Sequence, residues 1–159
     1  MYRIASLAAA AFLTAAPLAA QDVHVENAYA LTTGPGAMSG AVFFEIVNRS
    51  ATEPDRLVSA ASDVAQRVEL HTHLIDAQGM ARMIEVEDGF AVAPGATHVL
   101  QRGGDHVMLM GLTRPLADGD TFELLLTFER EGEVSIEVPV ELNRMPAPGR
   151  GHGGHGMGG

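Results

Sequence analysis

The chain has 159 residues, with ten Lys+Arg against twenty Asp+Glu and a formal net charge of −10 at pH 7. Hydrophobic residues make up 47% and charged residues 19%, which suits a globular domain and excludes a disordered chain. The basic residues are all arginine and form no cluster, so the footprint of a nucleic-acid binder is missing, and the absence of cysteine excludes disulfides, thiol nucleophiles, Cys-type zinc sites and blue-copper ligation.

The first stretch, MYRIASLAAAAFLTAAPLAA, carries one early charge, Arg3, and then an apolar, small-residue run. Ile4 to Ala16 has the length of a signal-peptide apolar region and is shorter than the roughly 20 residues a membrane span needs. Residues 1–20 are therefore expected to be a signal peptide cleaved after Ala20, with Ala16 as second choice. What remains is an exported chain with no membrane span, expected in the periplasm.

From Asp22 onward short β-rich runs alternate with turn residues. Strands are predicted over Val23–Ala30, Ser39–Asn48, Leu57–Ala61, Ala65–His73, Ala81–Val86, Thr97–Gln101, Asp105–Gly111, Thr121–Glu129 and Glu133–Leu142. The turns between them include Gly34-Pro35-Gly36, Asp76-Ala77-Gln78-Gly79, Glu87-Asp88-Gly89, Ala93-Pro94-Gly95 and Gly103-Gly104. Arg130-Glu131-Gly132 reads as the connection of a bulged hairpin. Phe122, Leu124, Leu126 and Phe128 give one buried face, and the softer positions Leu125 and Thr127 mark that strand as central. The expected fold over residues 21–142 is an all-β Greek-key sandwich or barrel. The remaining residues, 143–159, form a Gly- and Pro-rich tail, NRMPAPGRGHGGHGMGG, with no apolar period to pack and a flexible reading.

Methionine and histidine are the unusual residues, at eight and seven. Period-two alternation puts His106, Met108 and Met110 on one strand face, with Val107 and Leu109 on the other, and it places His71 and His73 together in VELHTH. Thioether sulfur is soft and imidazole borderline, so a mixed site would select Cu(I) over magnesium, calcium or manganese. Methionine on a strand is more often core filler, the default for Met38 and Met110. Spacing alone leaves the two readings open. No Gly-x-Ser-x-Gly elbow, His-Glu-x-x-His or phosphate loop is present, and the carboxylates read as a solvated acidic surface, so no enzyme is expected.

The stretches VENAYA, TGPGAMSGAVFFEIVN, VELHTH, GMARM, APG, GGDHVMLMGLTRPLADGD and LTFEREGEVSIEVPV resemble the PCu(A)C family of periplasmic copper chaperones across nearly the whole expected mature chain. The family's signature is a His, a later Met and a distant His-x-Met. Carried over, His71 is the first ligand, Met83 the second, and His106 with Met108 the closing pair. The first separation is one residue longer than usual, which puts an insertion in the Asp76–Met83 turn and makes Met80 the competitor of Met83. His73 stands where the family often has Met beside its first His, as either an auxiliary ligand or a solvent-facing residue. The resemblance implies a cupredoxin-like sandwich and a Cu(I) site near the surface. It also implies a metallochaperone supplying the copper A centre of cytochrome c oxidase, with the oxidase copper-bearing subunit and a Sco-type chaperone as partners.

The tail resembles the His/Met-rich extensions of some members. His152 and His155 would capture Cu(II), with Met157 helping after reduction, against the plainer reading of a solubilising tail. Late cleavage would make His24 the third residue of an amino-terminal Cu(II) motif. The rival readings are a copper buffer or resistance protein without specific delivery, an interaction sandwich whose Met and His only pack, and a copper enzyme.

Overall fold

Among the described residues, 21–34 and 36–145 of a computed structural model, every regular element is a β-strand. In chain order they are β1 (Val23–Thr32), β2 (Ser39–Asn48), β3 (Asp55–Ala61), β4 (Ala65–Ile75), β5 (Ala81–Glu85), β6 (Phe90–Val92), β7 (Thr97–Val99), β8 (His106–Leu112), β9 (Thr121–Phe128) and β10 (Gly132–Pro139). The expected leader and the tail residues His152, His155 and Met157 lie outside the described residues. No helix among those described is long and apolar enough to cross a membrane.

The strands form two open sheets packed face to face, so the fold is a sandwich and not a closed barrel. One sheet runs β1-β2-β8-β4-β5, with β7 beside the C-terminal half of β2; the other runs β10-β9-β3-β6. Alternation builds the core between them. Phe122, Leu124, Leu126 and Phe128 of β9 are buried, and β9 has a partner on each side, β10 and β3, as the softened pattern predicts. Val42, Phe44 and Ile46 of β2, Leu70 of β4, and Val107 and Leu109 of β8 meet them from the opposite sheet.

The sequence reading misses β6. Three residues between two Gly-bearing turns are too few to show alternation, yet Phe90 and Val92 are buried and the strand pairs with β3. Met38, expected in the core, is exposed. Its backbone is what the fold uses: the Met38 carbonyl accepts a hydrogen bond from Leu112 N–H at 3.0 Å. Met110 is half-buried on the face of β8 that points away from the core.

The β4–β5 hairpin positions the site. β4 pairs with β8 from Ala65 up to His71, opposite His106, and then runs on to Ile75 with only β5 beside it. Its turn is held by the Asp76 carboxylate, whose Oδ1 accepts from Gln78 N–H at 3.0 Å and Met80 N–H at 2.9 Å. The last four residues of β4, with Ala81–Ile84 of β5 paired to them, thus project past the end of β8, and every residue of β5 is exposed.

Candidate metal centre

The side-chain period of a strand sends Val107 and Leu109 into the core and leaves His106 and Met108 on the opposite face of β8. Register brings the other residues to the same face. His71 lies opposite His106, Glu69 opposite Met108, and His73 opposite Met83. The His71 and His73 rings, both from β4, lie beside that of His106, with centroids 5.9 and 5.2 Å away. Met83 Sδ is 3.2 Å from His106 Nε2.

Hydrogen bonds fix which nitrogen of each ring carries the lone pair. A carbonyl oxygen only accepts, so the His106 Nδ1–H donates to Gly104 O at 3.0 Å and Nε2 is left with the lone pair. His73 Nδ1–H donates to the same oxygen at 3.3 Å, which again leaves Nε2 free. His71 has the other tautomer: Nε2–H donates to Glu69 Oε2 at 2.9 Å, and its buried Nδ1 has no partner. At the contact between His106 Nε2 and Met83 Sδ, two lone-pair atoms face each other with no hydrogen between them. One ion, about 2 Å from nitrogen and a little more from sulfur, could touch both.

Burial pushes the His106 imidazole below its ordinary pKa, against the Gly104 hydrogen bond, and the neighbouring His73 and His71 act in the same direction as burial. His106, only 2% exposed, is therefore neutral in the range where a ligand must be. The site is not as superficial as the sequence implies, since one ligand candidate lies in the protein body while Met83 remains 48% exposed. Glu69 is held below the usual carboxylate range by its bonds to His71 and then Arg67, so it is ionised and keeps the His71 tautomer in place.

Beside this face lies a cavity of about 390 Å³. His73, Met83, His106 and Met108 line it together, with Leu31, Phe43 and Leu142 among its apolar walls and Arg102 also lining it. Arg102 donates to the Arg144 carbonyl at 3.1 Å, which ties the C-terminal segment to the cavity. The loop that supplies Gly104 is itself braced. Gln101 N–H donates to Asp105 O at 2.9 Å, Gly103 takes the φ of 79° that its turn requires, and His98 Nε2–H donates to Asp105 Oδ2 at 2.8 Å.

Of the candidates read from the sequence, His71, Met83, His106 and Met108 share one sheet face, and His73 joins them. Met83 contacts His106, whereas Met80 sits in the β4–β5 turn, 58% exposed. His71 does not line the cavity. Among the described residues no three His, Cys, Asp or Glu side chains gather to hold a metal, so the convergence here is of imidazole with thioether. Sequence reasoning overlooks Glu69, although alternation from His71 would have found it, and the Gly104 carbonyl, which has no side-chain signal.

Residues 23–140 match the family described as "Putative lipoprotein LpqE-like". "Putative lipoprotein Lxx21020" of Leifsonia xyli subsp. xyli is 33% identical over 122 residues, 77% of this chain and 71% of that one. "Putative lipoprotein LpqE" of Mycobacterium tuberculosis is 34% identical over 94 residues, 59% of this chain and 50% of its own length, so the chain spans about half of that relative. Among solved structures, apo-DR1885 from Deinococcus radiodurans is 30% identical with a TM-score of 0.60, covering 89% of this chain and 93% of that one. The Cu(I) form of DR1885 is 34% identical with a TM-score of 0.58, over 78% and 83% of the two chains. The copper-bound PCuAC domain from PmoF2, 24% identical with a TM-score of 0.62 over 76% and 93%, is alike in fold. The cupredoxin-like sandwich expected from the sequence is the fold of this chain.

Proposed function

The chain belongs to the LpqE-like family, and on that premise and the chemistry of its cavity face we propose that it is an exported, non-catalytic carrier of Cu(I). The observation that carries this reading is the 3.2 Å approach of Met83 Sδ to the lone-pair nitrogen of the buried, neutral His106. Met108 lines the same cavity, and His71, across from His106, offers an unpartnered Nδ1 held in position through Glu69. Thioethers favour a soft ion, and Cu(I) is the first-row ion that suits two sulfurs with one or two imidazoles. The solved Cu(I) form of DR1885 supports this assignment by likeness.

The candidate core set is His71, Met83, His106 and Met108, with His152, His155 and Met157 of the tail as a second, Cu(II)-directed set. The relatives' name of lipoprotein supports export, and we place the chain in the periplasm after cleavage near Ala20. Copper is cargo in this reading. An open cavity next to the ligands leaves room for an acceptor's own ligands to approach the ion, and thioether donors release it readily. The finer proposal is delivery to the copper A centre of cytochrome c oxidase, alongside a Sco-type chaperone.

The test is an anaerobic Cu(I) competition titration against a chromophoric chelator. It uses the chain from Gln21 with His152, His155 and Met157 replaced by alanine. One tight equivalent, lost in His106→Ala, is expected; no uptake would overturn the reading. Mixing the loaded protein with the oxidase copper subunit then separates the roles, since copper that stays put defines a buffer and copper that moves defines a chaperone.

A further inference from the structure

The resemblance that assigns the four ligands leaves His73 open between an auxiliary ligand and a solvent-facing residue, and the geometry treats it as the twin of His106. Both rings donate Nδ1–H to one carbonyl, Gly104 O, at 3.3 and 3.0 Å, so both are fixed in the same tautomer with Nε2 free. Both line the cavity with Met83 and Met108, and His73 lies directly opposite Met83 in the β4–β5 register. His71 differs on each count. It does not line the cavity, its Nε2–H is engaged by Glu69, and its free nitrogen is a buried Nδ1.

We propose that His73 is a further copper ligand, binding Cu(I) through Nε2 together with Met83 and His106 on the cavity side of the site. The proposal rests on the Cu(I) reading above and deepens it. Gly104 then acts as a shared positioning group: one oxygen orients two imidazoles, and the loop bonds from Gln101 and His98 to Asp105 hold that oxygen still. Outer partners of this kind fix ring orientation and tautomer at metal sites. Cu(I) accepts three or four donors, and His71 and His73, two residues apart on β4 with ring centroids 5.9 and 5.2 Å from that of His106, offer it two neighbouring positions beside His106. The cavity-side position is the one open to an approaching acceptor.

Cu(I) is diamagnetic, so ring 15N shifts report ligation directly. The chain from Gln21, with the three tail residues replaced by alanine as above, would be labelled at histidine and followed with one equivalent of Cu(I) under anaerobic conditions. In the apo protein His73 should show the Nδ1–H tautomer, and on loading its Nε2 resonance should shift with that of His106. His73→Gln should weaken Cu(I) by at least about tenfold in the chelator competition, the lower end of what loss of an outer partner costs a metal site. An unmoved His73 Nε2, with undiminished affinity in His73→Gln while wild type still binds one equivalent, would overturn the ligand assignment and leave the Cu(I) reading intact. Failure of wild type to take up Cu(I) would overturn both.

Discussion

At the residue scale the site is decided by which atoms carry lone pairs. Met83 and Met80 are chemically identical, and three positions separate them, yet only Met83 stands on the strand face that meets His106. Met83→Ala should therefore weaken Cu(I) by at least about tenfold, while Met80→Ala should leave the affinity within experimental error in the same titration. Equal losses would mean that the turn rearranges around the ion. The buried His106 gives a second expectation, for the apo protein. Its folded pKa lies below the ordinary 6.5, so below that value the unfolded chain binds a proton that the folded chain resists. This contribution is fully present above pH 6.5 and is lost as pH falls toward the lowered value, with Glu69 adding a further loss below its ordinary 4.5. Urea midpoints taken between pH 7.5 and 5.5 should fall on acidification in wild type and fall less in His106→Gln. Parallel slopes would remove His106 as the cause.

At the element scale a strand's period does most of the explaining. Alternation in HVMLM read from the sequence is enough to separate His106 and Met108 from Val107 and Leu109, and it holds in β8. Register is another matter. That His71 lies opposite His106, and His73 opposite Met83, depends on β8 pairing with β4 and on β4 outrunning it, and no single strand announces its neighbours. The choice between Met80 and Met83 was open in the sequence for this reason: the length of the Asp76–Met80 turn sets which methionine faces the imidazoles. β6 was illegible because three residues cannot display a period, and Gly104 because its contribution is a backbone oxygen. A buried carboxylate shows how far such contacts fix an element. Asp55 at the start of β3 accepts from Arg56 N–H at 2.7 Å, Arg130 N–H at 2.9 Å and Glu131 N–H at 3.0 Å, tying the β9–β10 hairpin to the adjoining strand. Asp55→Ala would leave three backbone donors without their acceptor. It should cost about 3 kcal/mol in chemical denaturation, with Cu(I) affinity unchanged, since the site lies on the other sheet. A loss of affinity in that variant would show that the two sheets are coupled.

At the scale of the whole molecule, the core and the site are separate constructions. The buried cluster draws Phe44, Ile46, Leu109, Leu124, Leu126 and Phe128 from both sheets, and none of these lines the cavity where His106 meets Met83. The ligand candidates are therefore not what holds the sheets together, in contrast to small domains whose metal supplies the folding energy. The apo protein should be folded, with a cooperative thermal transition, and Cu(I) should act only by binding the native state. At a free concentration one hundred times the dissociation constant that linkage is worth about 2.7 kcal/mol, on the order of 10 °C for a domain of this size. Anaerobic calorimetry should show that rise in the tail-substituted chain and lose most of it in His106→Gln, with the apo transition of wild type already sharp. A wild-type chain that melts without cooperativity until Cu(I) is added would mean that the metal builds the fold. The cavity face would then be part of the core rather than a surface the core presents.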